Sequence, residues 1–274
     1  MYIAGRNNPK IKLFFKLSAS KKARQETGLF VLEGARLCAD ALNEWKSGKL
    51  NIYAAFASET ALEKYADYID LNLFSDEKSG KFFIVEENLC NKMSETQASQ
   101  GIFMIAKMCN KALHPDCIKP DGKYLIMNNL QDPGNVGTIL RTCDAVGIDG
   151  VVMTNNSCDL YNPKVIRSAM GSIFRLNVYT YSNFAETNEM FKSRGVKTMA
   201  AVIDKDAVSL DHVDFSGGTA VVIGNEGNGL SHEDAVLCNE RITIKMHGNI
   251  NSLNAAMAAG IILWEMTSRS EQNE

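Results

Sequence analysis

Between residues 241 and 265 the chain changes its hydrophobic period twice. Ile242, Thr243 and Ile244 form a short β-branched run, and 247–251 is polar, rich in amides and free of acids. From Ser252 onward apolar side chains return at helical spacing: Leu253, Met257, Gly260, Ile261 and Trp264. The small residues Ala255, Ala256, Ala258 and Ala259 lie among them. The pattern predicts a strand, a loop and a helix opening at Ser252, with that stripe buried and a backbone-rich polar loop ahead of it.

The same reading, carried along the chain, predicts a helix over 9–23. Ile11, Phe14, Phe15 and Ser18 share one side of it and lysines the other, and Gly28 ends it. Strands follow over 29–32, 52–57, 82–85 and 102–107, with helices over 35–45, 60–68 and 87–93 between them. This alternation describes an α/β domain of about a hundred residues. The stretch 109–122 contains Pro115 and Pro120, two of the five prolines, and is the expected linker. Beyond it strands are expected over 124–127, 150–153, 176–179, 197–202 and 220–223. Helices are expected over 136–146, 163–170, 184–193 and 232–237. Those strands are nearly continuous apolar runs, as in a parallel sheet covered on both faces. The division is 1–108, a linker 109–122, and 123–274.

Composition narrows the class. With 274 residues, 45% hydrophobic and 22% charged, the chain is an ordinary globular protein with room for two cores. Seven cysteines without a CxxC pair or a histidine at metal spacing point to reduced thiols in a cytoplasmic protein that holds no metal. The apolar run 255–264 is too short to span a bilayer, and the N-terminus lacks a continuous apolar segment. The net charge of −3 hides an asymmetry: residues 1–24 carry Arg6, Lys10, Lys12, Lys16, Lys21, Lys22 and Arg24 and no acid. Such a cluster either meets phosphates or is a solvated helix face.

Three loops leave strand ends in the second half: 128–137, 224–230 and 247–251. All are rich in Gly and Asn. In an open parallel sheet, ligands gather at strand C-ends, so the three could converge on one ligand. Each glycine loop alone is equally well a turn. No GxGxxG follows the first strand of either domain and no GxxxxGK[ST] occurs, which disfavours a dehydrogenase or an ATPase. Asn135 is a hydrogen-bonding residue or a helix cap. Arg141 either pairs with Asp144 at i,i+3 or aims a guanidinium at the ligand end of the sheet. Glu226 has a bland reading as a solvated loop acid. His212, His232 and His247 read as surface residues, and Cys143 and Cys158 as core thiols.

In order and spacing, these loops resemble the three signature motifs of the SpoU (TrmH-like) family of RNA ribose 2′-O-methyltransferases. The first is Asn135-Val136-Gly137-Thr138-Ile139-Leu140-Arg141-Thr142, and the second is Val222-Ile223-Gly224-Asn225-Glu226-Gly227-Asn228-Gly229-Leu230-Ser231. The third is Ile244-Lys245-Met246 with Ser252-Leu253-Asn254-Ala255. Lys164–Gly171 and Phe174-Arg175 resemble the family's Ser-x-Gly segment. Phe30-Val31-Leu32-Glu33-Gly34 and Gln100-Gly101-Ile102 more weakly resemble the family's substrate-binding domain, which is similar to ribosomal protein L30e. Lys245 and Asn177 stand where the family favours proline, and Ala255 where valine is common.

The resemblance implies an α/β protein: a C-terminal parallel sheet of the SPOUT type with a trefoil knot, preceded by a smaller L30e-like domain. It implies S-adenosylmethionine held by Gly224, Asn225, Glu226, Gly229, Ile244, Met246, Ser252, Leu253 and Asn254. It places Arg141 at the target nucleotide, with Asn135, Glu226, Ser252 and Asn254 beside it. A homodimer through the C-terminal domain is expected, with RNA met by Lys10, Lys12, Lys16, Lys21, Lys22, Arg24 and Arg141. Ribosomal RNA is favoured over tRNA by the L30e-like domain. The rivals are a tRNA 2′-O-methyltransferase, a non-catalytic RNA-binding protein with a degenerate methyltransferase domain, and an enzyme acting on a base or a small molecule.

Overall fold

The computed structural model describes residues 2–3, 6–70, 81–154 and 156–268. Two compact units emerge: Met1–Cys109 with Asp159–Phe174, and Asn110–Cys158 with Arg175–Glu274.

The first unit runs β1 (Tyr2–Ile3), α1 (Pro9–Ala19), α2 (Lys21–Thr27), β2 (Leu29–Glu33), α3 (Ala35–Lys46) and β3 (Ile52–Ala57). It continues through α4 (Glu59–Lys64), β4 (Phe82–Val85), α5 (Glu87–Met93) and β5 (Ile102–Lys107). Its sheet has the order β1-β4-β3-β5-β2, with β5 antiparallel to both neighbours and the other pairings parallel. Ile11, Phe14 and Leu17 bring α1 down onto Val31, Phe56, Phe103 and Ile105 of the sheet.

The helix predicted over 9–23 divides at Ser20. That residue is extended (φ −128°, ψ 114°), and its hydroxyl accepts from the Ala23 amide at 3.2 Å, so it ends α1 and caps α2. The new direction turns Arg24 inward, where it is 3% exposed. Its Nε and Nη2 donate to Asp159 Oδ2 at 2.9 and 2.6 Å, and its Nη1 donates to the carbonyls of Ser18, at 3.1 Å, and Leu17. The expectation that Arg24 belongs to an RNA-facing cluster is corrected: its charge is consumed in the core.

The second unit starts within the expected linker. β6 (Lys111–Ala112) joins a sheet, Leu113 and Ile118 are buried, and the Lys119 amide donates to the Tyr124 hydroxyl at 2.7 Å. Residues 110–122 are therefore a built part of this unit, because apolar side chains flank both prolines. Next come β7 (Lys123–Met127), α6 (Pro133–Val146) and β8 (Gly150–Thr154). The chain then contributes α7 (Pro163–Ala169) to the first unit and makes the single turn α8 (Ser172–Arg175). It resumes in the second with β9 (Val178–Tyr181), α9 (Phe184–Ser193), β10 (Lys197–Ala201), β11 (Val208–Ser209) and β12 (Thr219–Ile223). α10 (His232–Leu237), β13 (Glu240–Thr243) and α11 (Ala255–Ser268) complete it. The sheet order is β11-β13-β10-β12-β7-β8-β9-β6, with every pairing parallel. This is the parallel α/β architecture expected, with the smaller domain ahead of it. No helix among the described residues is long and apolar enough to cross a membrane.

The last helix departs from its predicted face. It begins at Ala255, and it buries Ala256, Ala259, Ile262, Leu263 and Met266. Met257, Ile261 and Trp264 are 60%, 37% and 64% exposed. A helix apolar on nearly every side has no dominant stripe for the sequence to reveal. The alanine side packs inward because small residues let α11 lie close against α6: a Cβ placed on Gly260 would sit 4.0 Å from the Thr142 methyl.

Candidate active site

The loops after β7, β12 and β13 are tied together by side-chain amides. Asp132 caps α6, its Oδ1 accepting from the Asn135 amide at 2.9 Å, and Pro133 occupies the first helical turn. The helix therefore starts three residues earlier than predicted, and Asn135 lies inside its first turn with its carboxamide not spent on the cap. Asn135 Nδ2 donates to Glu226 Oε1 at 3.2 Å, and Asn135 Oδ1 accepts from Asn254 Nδ2 at 2.9 Å. Glu226 also accepts from the backbone amides of Asp132 (2.8 Å) and Gln131 (3.1 Å). Asn254 Oδ1 in turn accepts from the Ala256 amide at 2.9 Å and so opens α11, which is why the helix does not begin at Ser252. The three motifs are thus one hydrogen-bonded frame.

Burial pushes the Glu226 carboxyl up, but the Asp132 and Gln131 amides and Asn135 outweigh it and hold the group below its ordinary 4.5. Both oxygens are engaged as acceptors, so this carboxylate is fixed as an anion between two loops.

The glycine-rich second loop folds on itself. Asn225 and Gly229 exchange both backbone hydrogen bonds, at 3.0 and 2.8 Å. Asn225 Oδ1 accepts from the amides of Gly227 and Asn228, and its Nδ2 donates to the Asn129 carbonyl at 3.1 Å. A Cβ on Gly224 would fall 2.3 Å from the Gly229 carbonyl carbon, so the loop closes only with glycine there. Beneath it Thr154 donates to Asn128 Oδ1 at 3.0 Å, and Asn128 Nδ2 donates to Asp234 at 2.8 Å.

Beside this frame lies an open crevice. Ile242, Ile244, Met246, Ser252 and Leu253 form one wall, Ala201, Val202 and Ile203 another, and Ala258 and Ile262 of α11 a third. Of the residues expected at the cofactor, Ile244, Met246, Ser252 and Leu253 line it. Gly224, Asn225, Glu226, Gly229 and Asn254 do not, and belong to the loops just described. Residues 201–203 escaped the sequence reading. Their role depends on β10 pairing with β13, a neighbour far away in sequence; the available signal was the apolar Ile203, 75% exposed, just past a strand. Aliphatic walls with Thr243, Asn251 and Ser252 among them fit an adenine ring and a thioether-like chain, and no charged side chain lines the space. Lys245 lines a different cleft with Ser209, Asp211, His247 and Glu265, so the departure there leaves Ile244 and Met246 in place.

Arg141 is exposed and has no ion pair or hydrogen bond among the described residues. Asp144, the i,i+3 partner the sequence offers it, is taken by Arg175, at 2.9 and 2.6 Å. Cys143 is buried and its thiol is pushed far up by desolvation, while His212, His232 and His247 are all exposed. Among the described residues no group of His, Cys, Asp or Glu gathers as metal ligands would.

Of the N-terminal cations, Lys12, Lys16, Lys21 and Lys22 are exposed on α1 and α2, with Lys22 3.8 Å from Glu26. Lys10 is half-buried, with its ammonium 3.6 Å from the centre of the Tyr53 ring.

Residues 122–264, which contain all three loops, match the model of the SpoU rRNA Methylase family. The chain belongs to this family. Residues 8–104 match the MRM3-like substrate binding domain. Among relatives of this SpoU methyltransferase, the 23S rRNA (guanosine(2553)-2′-O)-methyltransferase RlmP of Bacillus subtilis is 30% identical over 268 residues, covering 96% of this chain and 98% of that protein. The 23S rRNA (uridine(2479)-2′-O)-methyltransferase of Streptomyces viridochromogenes is 26% identical, over 94% of this chain and 89% of its own length. The AdoMet-bound rRNA methyltransferase from Sinorhizobium meliloti superposes with a TM-score of 0.83 at 26% identity, over 98% of both chains. S-adenosylmethionine is the methyl donor of SpoU enzymes, in keeping with the crevice beside the laced loops.

Proposed function

We propose that this SpoU methyltransferase methylates a ribose 2′-hydroxyl of ribosomal RNA, in the cytoplasm and as a homodimer. The observation that carries the reading is the exposed guanidinium of Arg141, without an ion pair among the described residues, on the helix whose first turn belongs to the three-loop frame. S-adenosylmethionine supplies, when bound, a methyl group already activated by its sulfonium. What is left to the protein is alignment of the attacking oxygen and removal of its proton. The walls built by Ala201–Ile203, Ile244, Met246 and Leu253 would hold the cofactor, with the amides around Ser252 addressing its polar edges.

A guanidinium is a poor base, so Arg141 acts by orienting the target phosphate and stabilising negative charge as it develops on the 2′-oxygen. Glu226 is a strut rather than the proton acceptor: its lowered pKa and its filled acceptor sites fit it for holding Asn135 and the first loop. Asn254 joins the third loop to the same strut through Asn135.

The homodimer reading rests on Met257, Ile261 and Trp264, which follow one another at i, i+4 and i+7 as an apolar stripe open to solvent. The trefoil knot is supported by the place of β13, inserted between β11 and β10 rather than added at an edge, with α11 then lying against α6. Ribosomal RNA is preferred over tRNA because two relatives that match this chain over nearly its whole length are named for 23S rRNA. Lys12, Lys16, Lys21 and Lys22 are proposed to meet its phosphates.

The test is Arg141→Ala. Methyl transfer should fall at least a hundredfold, about 2.7 kcal/mol of transition-state stabilisation, while calorimetric affinity for S-adenosylmethionine stays within twofold. Near-normal turnover would remove Arg141 from the chemistry.

A further inference from the structure

Three stretches that stood out in the sequence meet in the first unit. The end of β2 with Glu33 and Gly34, the turn at Gln100, and Arg167 and Met170 of the Ser-x-Gly-like segment surround an open pocket. Arg36, Leu37 and Asp40 of α3 complete it. We propose that this pocket receives one unpaired nucleotide of the RNA, distinct from the nucleotide that is methylated, and that Arg36 reads its base. The proposal rests on the RNA methyltransferase reading above.

The chemistry of the walls favours a base over a bare phosphate. Arg36 is exposed and has no ion pair or hydrogen bond among the described residues, so its guanidinium fork is available. Arg167 is held in place by carboxylates, Glu95 at 2.9 Å and Glu33 at 3.7 Å. Glu33 is itself fixed by the Thr96 hydroxyl at 3.1 Å and the Glu95 amide at 3.2 Å. Gln100 spends its Oε1 on the Ala35 amide at 2.7 Å, which leaves Nε2 to donate. A phosphate would face the carboxylates of Glu33 and Asp40 here. A base edge, which carries both donors and acceptors, can match carboxylate, amide and guanidinium together.

The pocket is also shaped against the backbone's preferences. Gly34 has φ +101°, and a Cβ there would come within 3.2 Å of Gln100 Oε1, so the turn between β2 and α3 requires glycine. Met170 has φ +47° and is 36% exposed, a left-handed conformation that a non-glycine residue rarely adopts. Held there, its polarisable thioether lines the pocket at a place where an unstacked base can lie against it. Strained residues of this kind persist at ligand clamps.

Three variants separate the possibilities, with protein-free 23S rRNA and poly(U) as probes over a salt series. Arg36→Ala should weaken binding to 23S rRNA about tenfold or more, Arg36→Lys should fail to restore it, and the salt slope should stay unchanged. Met170→Gly removes the side chain while relieving the backbone, so it keeps the fold, and it should lose several-fold affinity for 23S rRNA. Binding of poly(U), and of S-adenosylmethionine by calorimetry, should match the wild type in all three variants. Wild-type affinity in Arg36→Ala and Met170→Gly would overturn the proposal. So would full rescue by lysine with a salt slope smaller by about one in Arg36→Ala, which marks a phosphate contact. If the wild-type protein does not bind 23S rRNA at all, the RNA reading itself fails, an outcome distinct from loss of the pocket alone.

Discussion

Replacing Arg24 by alanine distinguishes a buried strut from a surface phosphate ligand. The side chain is 4% exposed and its Asp159 partner 12%, and the guanidinium also satisfies the carbonyls of Ser18 and Leu17. The substitution removes the cation that balances a largely buried carboxylate and leaves two carbonyls without their donor. Breaking a buried pair in this way costs about 3–5 kcal/mol. With a urea slope near 2 kcal/mol/M, the unfolding midpoint of the first unit should fall by roughly 2 M. Trp45 lies in this unit, so in a Trp264→Phe background its fluorescence reports the transition. Arg24→Met combined with Asp159→Leu should recover much of the loss, since apolar replacement of a buried pair is often tolerated. An unchanged midpoint together with weaker RNA binding would refute the buried assignment and return Arg24 to the basic surface.

Other consequences are as direct. Glu226→Gln leaves the amides of Gln131 and Asp132 sharing one acceptor oxygen, and should cost about 1–2 kcal/mol after allowance for the exposure of the site, read as a lower melting temperature. Because the folded pKa of Glu226 is depressed, its contribution is complete above the ordinary 4.5 and is lost as pH falls through the folded value. The wild type and Glu226→Gln should therefore converge in stability on acidification, and parallel curves would count against the strut. Changing Lys12, Lys16 and Lys21 together to Gln should flatten the dependence of log RNA affinity on log salt by about two to three, and an identical slope would mark them as a solvated face. Trp264→Glu should convert the protein to a monomer in sedimentation, and an unaltered dimer would move the interface elsewhere.

The alternation of strands and helices was legible because both periods are strong: 29–32, 102–107 and 220–223 are unbroken apolar runs, and turn residues bound them. Family motifs located the three loops. What the sequence hid was non-local. Nothing in 197–203 reveals that β10 pairs with β13, so the wall contributed by Ala201, Val202 and Ile203 went unseen. Arg24 looked like its lysine neighbours because its partner is 135 residues away. The inward side of α11 was misread because alanine scores weakly as a core residue, yet it is the small side that approaches α6. The expected linker was misread on its prolines, while Leu113 and Ile118 already spelled a packed segment. Asn135 was left open between cap and ligand group. Asp132 takes the cap, and that is what frees Asn135 to join Glu226 to Asn254.

The central claim is the transfer of methyl to a ribose of ribosomal RNA, and mapping the methyl group tests it most directly. Ribosomal RNA from cells lacking the protein, incubated with the purified enzyme and S-adenosylmethionine, is digested to nucleosides and fragments and analysed by mass spectrometry. The account predicts one added 2′-O-methylnucleoside at a single 23S rRNA position, present in normal cells, absent without the protein, and not restored by Arg141→Ala. A methyl group on a base, or an identical methylation pattern with and without the protein, would contradict it.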